Sequence, residues 1–168
     1  MRRILTLPLM ICAVSSCLAA SRRSATRPEA EYFITAYAQH YHVPVPLVRA
    51  IVERESAWRA CVVSPKGAVG LMQLMPSTAQ RLGVKDRCNI DQNVSGGVRY
   101  LAWLMTQFHD FRLVAAAYFA GERVIGRRGL AYRNSEVVAY VARIRTSYLR
   151  NTESAAKIED ITLKRDVR

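Results

Sequence analysis

One carboxylate occupies a position that the local pattern reserves for an apolar side chain. Residues spaced three and four apart form the inward stripe of a predicted helix, namely Val48, Ile51, Val52 and Glu55. Burial removes water from a carboxylate and raises its pKa, which is the property that a general acid needs near neutral pH. The alternative is a glutamate at the edge of the core, paired with one of the many arginines. The pattern alone favours neither interpretation.

An ordered set of motifs follows this glutamate. They are Glu-Ser at 55–56, Gly-Leu-Met-Gln at 70–73, Pro-Ser-Thr-Ala at 76–79, Asn-Val-x-x-Gly at 93–97, Tyr-Leu at 100–101, Ala-Tyr-x-Ala-Gly at 117–121, and Glu136 with Tyr-Val at 140–141. In this order they closely resemble the lytic transglycosylases that carry the soluble-transglycosylase (SLT), goose-lysozyme-like domain. The resemblance extends from Tyr32 to Ile144, and a complete ordered set is far more specific than any one motif.

The resemblance implies a reaction in which Glu55 is the catalytic acid and base. It would protonate the glycosidic oxygen between N-acetylmuramic acid and N-acetylglucosamine. It would then take the proton of the muramyl 6-hydroxyl as that oxygen attacks its own anomeric carbon, giving a 1,6-anhydro sugar. Such an internal nucleophile removes the need for a second carboxylate that activates water. The other candidate acids fit better as a helix cap, Asp91, and as an acidic first-turn residue, Glu136.

The resemblance also assigns five supporting residues. Ser56 would help to orient the glutamate, Met72 and Gln73 would line the cleft beside the sugar N-acetyl groups, Tyr118 would form a cleft wall, and Tyr140 would lie near the glutamate. An ordinary packing or helix position is the alternative for each. For Gln73 the residue type itself supports substrate contact, because an amide among apolar neighbours needs a hydrogen-bond partner.

The chain departs from the family at Phe119, where the Ala-Tyr-Asn-Ala-Gly motif usually has asparagine. This loses an amide able to bind substrate and adds an apolar ring. The function expected is a peptidoglycan lytic transglycosylase without a cofactor, of a kind that could serve a secretion or conjugation machine. The alternatives are a lysozyme-type muramidase and a non-catalytic peptidoglycan-binding assembly factor.

The elements needed to position these residues are helices. Apolar periodicity predicts helices over about 29–41, 46–57, 76–83, 91–108, 113–120 and from 134 or 135 to 149, with a loop or hairpin at 61–70. Inward residues of the last helix are expected to include Val138 and Leu149, and Asp91 is expected to cap the long helix. The expected fold is an all-α, lysozyme-like domain over 31–150, between a linker at 21–30 and a charged, mobile tail at 151–168.

The first twenty residues have the pattern of a secretory leader. Two arginines precede an apolar stretch that is too short to span a bilayer, and small residues follow it. Cleavage near Ala19–Ser21 is one interpretation. A lipoprotein box ending at Cys17, which would anchor the protein to a membrane, is the other. Both predict an exported protein of the bacterial periplasm or envelope.

Export makes a disulfide between Cys61 and Cys88 the favoured interpretation of the two remaining cysteines, with free buried thiols or a metal site as alternatives. His40, His42 and His109 do not form a ligand pattern, so no metal is predicted. The net charge of +12 favours an anionic partner. Because export argues against nucleic acid, the carboxylate-rich peptidoglycan suits this charge best.

Overall fold

A computed structural model describes residues 27–166 of the chain. The predicted leader, both interpretations of its processing and most of the predicted linker lie outside the described residues. The helices are α1 (Arg27–His40), α2 (Val45–Ser56), α3 (Pro76–Arg81), α4 (Ile90–Gln107), α5 (Phe111–Ala120), α6 (Glu122–Arg128) and α7 (Ser135–Asp166), with a 3₁₀ turn at Gly129–Ala131 between the last two. The predicted all-α class is confirmed. None of the described helices is both long and apolar enough to cross a membrane.

The core lies where α1 packs on α4 and where α2 and α5 pack on α7. The predicted inward stripe of α2 is correct, since Val48, Ile51 and Val52 are completely buried. Helix α2 then ends abruptly, because Ala57 and Trp58 adopt left-handed backbone angles with φ of 49° and 66°. Non-glycine residues seldom take this conformation. The break leaves Glu55 in the last turn of α2, at the point where the chain turns away.

Helix α4 packs on α1 and α5 and corrects one prediction. Its cap is Asn89, whose side chain accepts a hydrogen bond from the Gln92 N–H. Asp91 instead accepts a hydrogen bond from the Tyr37 hydroxyl at 2.5 Å, which joins α4 to α1. Both residue types cap helices well, so the start of α4 was ambiguous by two positions. Within α4, Gly97 is required because a Cβ there would collide with Met72.

The predicted loop or hairpin is a tight turn with isolated bridges from Val63 to Val69 and from Val69 to Leu74. The favoured disulfide is present, joining Cys61 to Cys88 across a Cα–Cα distance of 4.6 Å. It connects the start of this segment to the stretch between α3 and α4. A cross-link that closes a loop of this size stabilises a fold by about 3–4 kcal/mol in the chain-entropy account.

The two ends of the domain differ from prediction. Residues 27–30, assigned to the linker, form the first turn of α1, and residues 151–166, assigned to a separate tail, continue α7. In α7 the inward residue is Val137 rather than Val138, which is half exposed like Leu149. A one-residue change of register is enough to move a side chain by about 100° around a helix. Helix α6 was not predicted.

Candidate active site

The site is built on a contact between α2 and α7. The Tyr140 hydroxyl donates a hydrogen bond of 2.6 Å to Oε1 of Glu55. Tyr140 is 2% exposed, whereas Glu55 is half-buried and remains accessible to solvent. The structure therefore brings together two residues that the resemblance assigned to one site, although they are far apart in the chain.

Burial raises the pKa of the Glu55 carboxyl above its usual range. The hydrogen bond from Tyr140 and the positive charge of Arg54 act in the opposite direction, because both favour the carboxylate, but burial is the larger effect. Burial also raises the pKa of Tyr140 well above its usual value, and the negative charge of Glu55 adds to this. Tyr140 therefore remains a hydrogen-bond donor, and Glu55 can hold a proton at a pH where an exposed glutamate is ionised.

Two aromatic residues of α5 form the adjoining wall. Tyr118 donates a hydrogen bond of 2.8 Å to the Met72 carbonyl, which ties α5 to the loop before α3. Phe119 stacks on Tyr140 with ring centroids 4.6 Å apart and is 41% exposed. The residue that departs from the family motif thus covers the tyrosine that holds Glu55.

A groove of about 630 Å³ extends from this wall. Tyr118, Phe119 and Gln73 are among its lining residues. Glu55 is not among the lining residues, but it is one side chain away, through the Phe119–Tyr140 stack. A cleft of this size can bind part of an extended polymer.

Part of the groove lining is held by a network of hydrogen bonds that was not predicted from the sequence. Glu122, at the start of α6, accepts hydrogen bonds from Arg81 at 3.0 Å and from the Tyr100 hydroxyl at 2.9 Å. Partial burial raises the pKa of Glu122, but these contacts lower it more. The pKa therefore lies below its usual range. The only signal in the sequence was an acidic residue directly after Gly121, at a helix start that had not been predicted.

The loop that carries Gln73 is shaped by internal hydrogen bonds. Gln73 has φ of 49°, and its side-chain amide nitrogen donates to the carbonyls of Val62 and Gly70, at 2.9 Å each. The partners that this amide needs are therefore supplied in part by the loop itself. Asn93, completely buried in α4, accepts from the Met72 N–H and donates to the carbonyls of Val69 and Arg87. Without Asn93 the loop would lose two hydrogen bonds to α4, those at Met72 and Val69.

Two of the assigned residues do not reach the groove. The Met72 side chain is completely buried against Gly97, so it fills the core, and only its backbone groups connect to the wall. Ser56 is 1% exposed, and its hydroxyl donates to the Val52 carbonyl one turn earlier. In this structure Tyr140, not Ser56, orients the Glu55 carboxyl.

Neither of the other candidate acids, Asp91 and Glu136, has a hydrogen bond or ion pair with Glu55 in the described part of the chain. Asp91 is engaged by Tyr37, and Glu136 is exposed in the first turn of α7. Over residues 27–166, no three side chains of the His, Cys, Asp or Glu type are grouped so that they could hold a metal ion.

Comparison with known proteins agrees with this geometry. The family model described as the transglycosylase SLT domain matches residues 32–140. A membrane-bound lytic murein transglycosylase F from Pseudomonas fluorescens (strain Pf0-1) is 39% identical over 83 residues, which is 49% of this chain and 17% of that protein.

Among solved structures, the 70 kDa soluble lytic transglycosylase SLT70 of Escherichia coli aligns with a TM-score of 0.63 at 25% identity, over 74% of this chain and 24% of that chain. An inactive mutant of the lytic transglycosylase Slt of Pseudomonas aeruginosa has the same fold, with a TM-score of 0.66 at 23% identity and the same coverage. The chain thus spans about a quarter or less of the length of these proteins. Because the family model matches well over half of its residues, the chain belongs to the transglycosylase SLT domain family.

Proposed function

We propose that this protein is a peptidoglycan lytic transglycosylase and that Glu55 is its single acid and base. The observation that carries the proposal is the Glu55 carboxyl, held by Tyr140 at 2.6 Å with a raised pKa, beside a groove that could hold a glycan strand. One relative is named as a lytic murein transglycosylase, and the resemblance of the site residues to that family supports the same substrate here.

The proposed reaction uses one carboxyl group twice. Protonated Glu55 gives its proton to the glycosidic oxygen between N-acetylmuramic acid and N-acetylglucosamine as that C–O bond breaks. The carboxylate then accepts the proton of the muramyl 6-hydroxyl, whose oxygen forms the new bond to the anomeric carbon. Atoms balance without water, and the product is a 1,6-anhydro-muramyl end.

Neighbouring carboxylates support this one-acid scheme. A glycosidase that activates water uses a second carboxylate, about 5–10 Å from the first. Glu122 is engaged by Arg81 and Tyr100, and Glu53 by Arg150 at 2.7 Å. Both of these carboxylates are therefore held in an ion pair with an arginine.

Product analysis tests the proposal. Purified peptidoglycan is digested with the protein, and the released fragments are examined by mass spectrometry, with Glu55→Gln as the control. Anhydro-muramyl ends that depend on Glu55 are expected. Reducing ends without anhydro sugars would identify a muramidase, and binding without release by the wild type would identify a non-catalytic factor.

The proposed place of action is the bacterial envelope, where the substrate lies. The leader-like sequence of the first twenty residues and the name of the membrane-bound relative support it. Service to a secretion or conjugation machine stays a prediction.

A further inference from the structure

A second concave surface lies on the seam between α2 and α7. It encloses about 400 Å³ and is lined mainly by three arginines, Arg54, Arg143 and Arg150, together with Glu53 and two hydroxyl residues of α7. We call it the cationic pocket. No element of the proposed reaction uses it.

The charges of the cationic pocket are not balanced. Glu53 is occupied by Arg150, whose Nη2 lies 2.7 and 2.9 Å from its two carboxylate oxygens. Arg54 and Arg143 are exposed, and neither has a carboxylate within salt-bridge distance in the described part of the chain. Two guanidinium groups therefore face one pocket without an anion between them. Guanidinium groups bind carboxylates through paired hydrogen bonds, which suits a ligand that carries several carboxylates.

The cationic pocket begins within one helical turn of the site. Arg54 precedes Glu55 in α2. Its positive charge acts to lower the pKa of both Glu55 and Tyr140, against the larger effect of burial. Arg143 follows Tyr140 by three positions in α7, on the same side of that helix. One helical turn rises about 5.4 Å, and one extended peptide residue spans up to about 3.6 Å. A peptide of two or three residues attached to a sugar beside Glu55 can therefore reach the cationic pocket.

We propose that the cationic pocket binds the carboxylates of the peptide that branches from the muramyl residue placed at Glu55. The inference rests on the proposed function and extends it, because it makes the peptide as well as the glycan part of what the enzyme recognises. Glu53 and Ser147 hold Arg150 in place, while Arg54 and Arg143 remain available to the ligand.

Two forms of one substrate test this proposal. Glycan strands carrying their peptides are compared with the same strands after an amidase has removed the peptides. The variant is Arg143→Gln, and the matched control is Arg145→Gln, an exposed arginine on the same helix that does not line the pocket. Arg143→Gln should lower kcat/KM by roughly fivefold on peptide-bearing strands, as for a partly exposed charged pair. It should leave kcat/KM on bare strands unchanged.

The control and the salt dependence complete the test. Arg145→Gln should behave as the wild type on both substrates, and the wild-type preference for peptide-bearing strands should shrink as salt is added, because exposed charges are screened. Equal losses on both substrates, or equal effects of the two variants, would overturn the proposal.

A binding measurement separates this proposal from the proposed function. The free peptide is titrated into the full chain carrying Glu55→Gln, followed by NMR. Shifts at Arg54 that disappear in the Arg143→Gln background support the pocket even if no anhydro product is formed. Binding that survives Arg143→Gln would overturn it, whatever the reaction proves to be.

Discussion

Two glutamates, Glu55 and Glu122, each accept a hydrogen bond from a tyrosine, yet their carboxyl pKa values move in opposite directions. Glu55 accepts from Tyr140 at 2.6 Å and Glu122 from Tyr100 at 2.9 Å. The pKa of Glu55 is raised because burial outweighs its contacts. The pKa of Glu122 is lowered because Arg81 adds a direct charged contact at 3.0 Å.

The comparison shows what a tyrosine partner does and does not decide. A phenol that donates to a carboxylate always favours the ionised form. The surroundings decide whether the pKa of the carboxyl is raised, which favours the protonated acid, or lowered, which favours the carboxylate. Glu55 has one phenol and only a more distant arginine in a buried place, whereas Glu122 has a phenol and an ion pair at a groove wall.

Glu55→Gln should have the largest effect. An amide can still accept the Tyr140 hydrogen bond but cannot transfer the proton, so the rate of anhydro product formation should fall about a thousandfold, within the range for a lost general acid and base. Glu122→Gln should lower the same rate by less than about tenfold. Rates are measured by product release from peptidoglycan, with circular dichroism as the check on folding. Equal losses would mean that the assignment of roles to the two glutamates is wrong.

Tyr140→Phe removes a contact that favours the Glu55 carboxylate. The pKa of Glu55 should then rise further, and the alkaline limb of the kcat/KM profile should move to higher pH, because Glu55 must be protonated in free enzyme. The rate should fall roughly tenfold as the carboxyl loses its fixed orientation. The pH profile of the wild type is the reference. A limb that moves to lower pH would contradict the stated cause.

Phe119→Asn should move the same limb in the other direction. Phe119 covers Tyr140, so a small polar residue would admit water to the Tyr140–Glu55 pair and reduce the burial that raises the Glu55 pKa. The alkaline limb should shift to lower pH by a few tenths of a unit. Phe119→Tyr, which keeps a stacked ring, is the matched control and should retain the wild-type profile. An unchanged profile in Phe119→Asn would show that the ring does not shield the pair.

The smallest effects are on stability, and their signs differ between the two glutamates. The folded-state pKa of Glu122 is lowered, so its contribution is present above the unfolded carboxyl pKa and is lost as pH falls through the folded value. Arg81 is 49% exposed, so Glu122→Gln should cost only about 0.5 kcal/mol at neutral pH. The folded-state pKa of Glu55 is raised, so stability is lost as pH rises through that value, and Glu55→Gln should raise Tm at neutral pH. Thermal unfolding between acid and neutral pH measures both. Two shifts of the same sign would contradict the comparison.

Local patterns predicted what depends on neighbours in the sequence. The burial of the α2 face around Glu55 follows from its own spacing. The contact of Glu55 with Tyr140 came only from the resemblance, because no periodicity relates residues 85 positions apart.

Other features could not be predicted from the sequence, for physical reasons. The burial of Met72 depends on the space left by Gly97 in another helix. The role of Glu122 depends on Arg81 and Tyr100, each from a different helix. The cap of α4 was misplaced because Asn89 and Asp91 are both suitable cap residues.

The Tyr140–Glu55 contact also sets an order of events during folding. Chain synthesis reaches Glu55 first, and 85 further residues must follow before its partner exists. Until α7 docks on α2, the Glu55 carboxyl lacks the Tyr140 hydroxyl that orients it. The groove wall of α5 likewise lacks the ring of Tyr140 against which Phe119 stacks. A chain that has not yet formed α7 therefore carries Glu55 without the phenol that fixes its carboxyl.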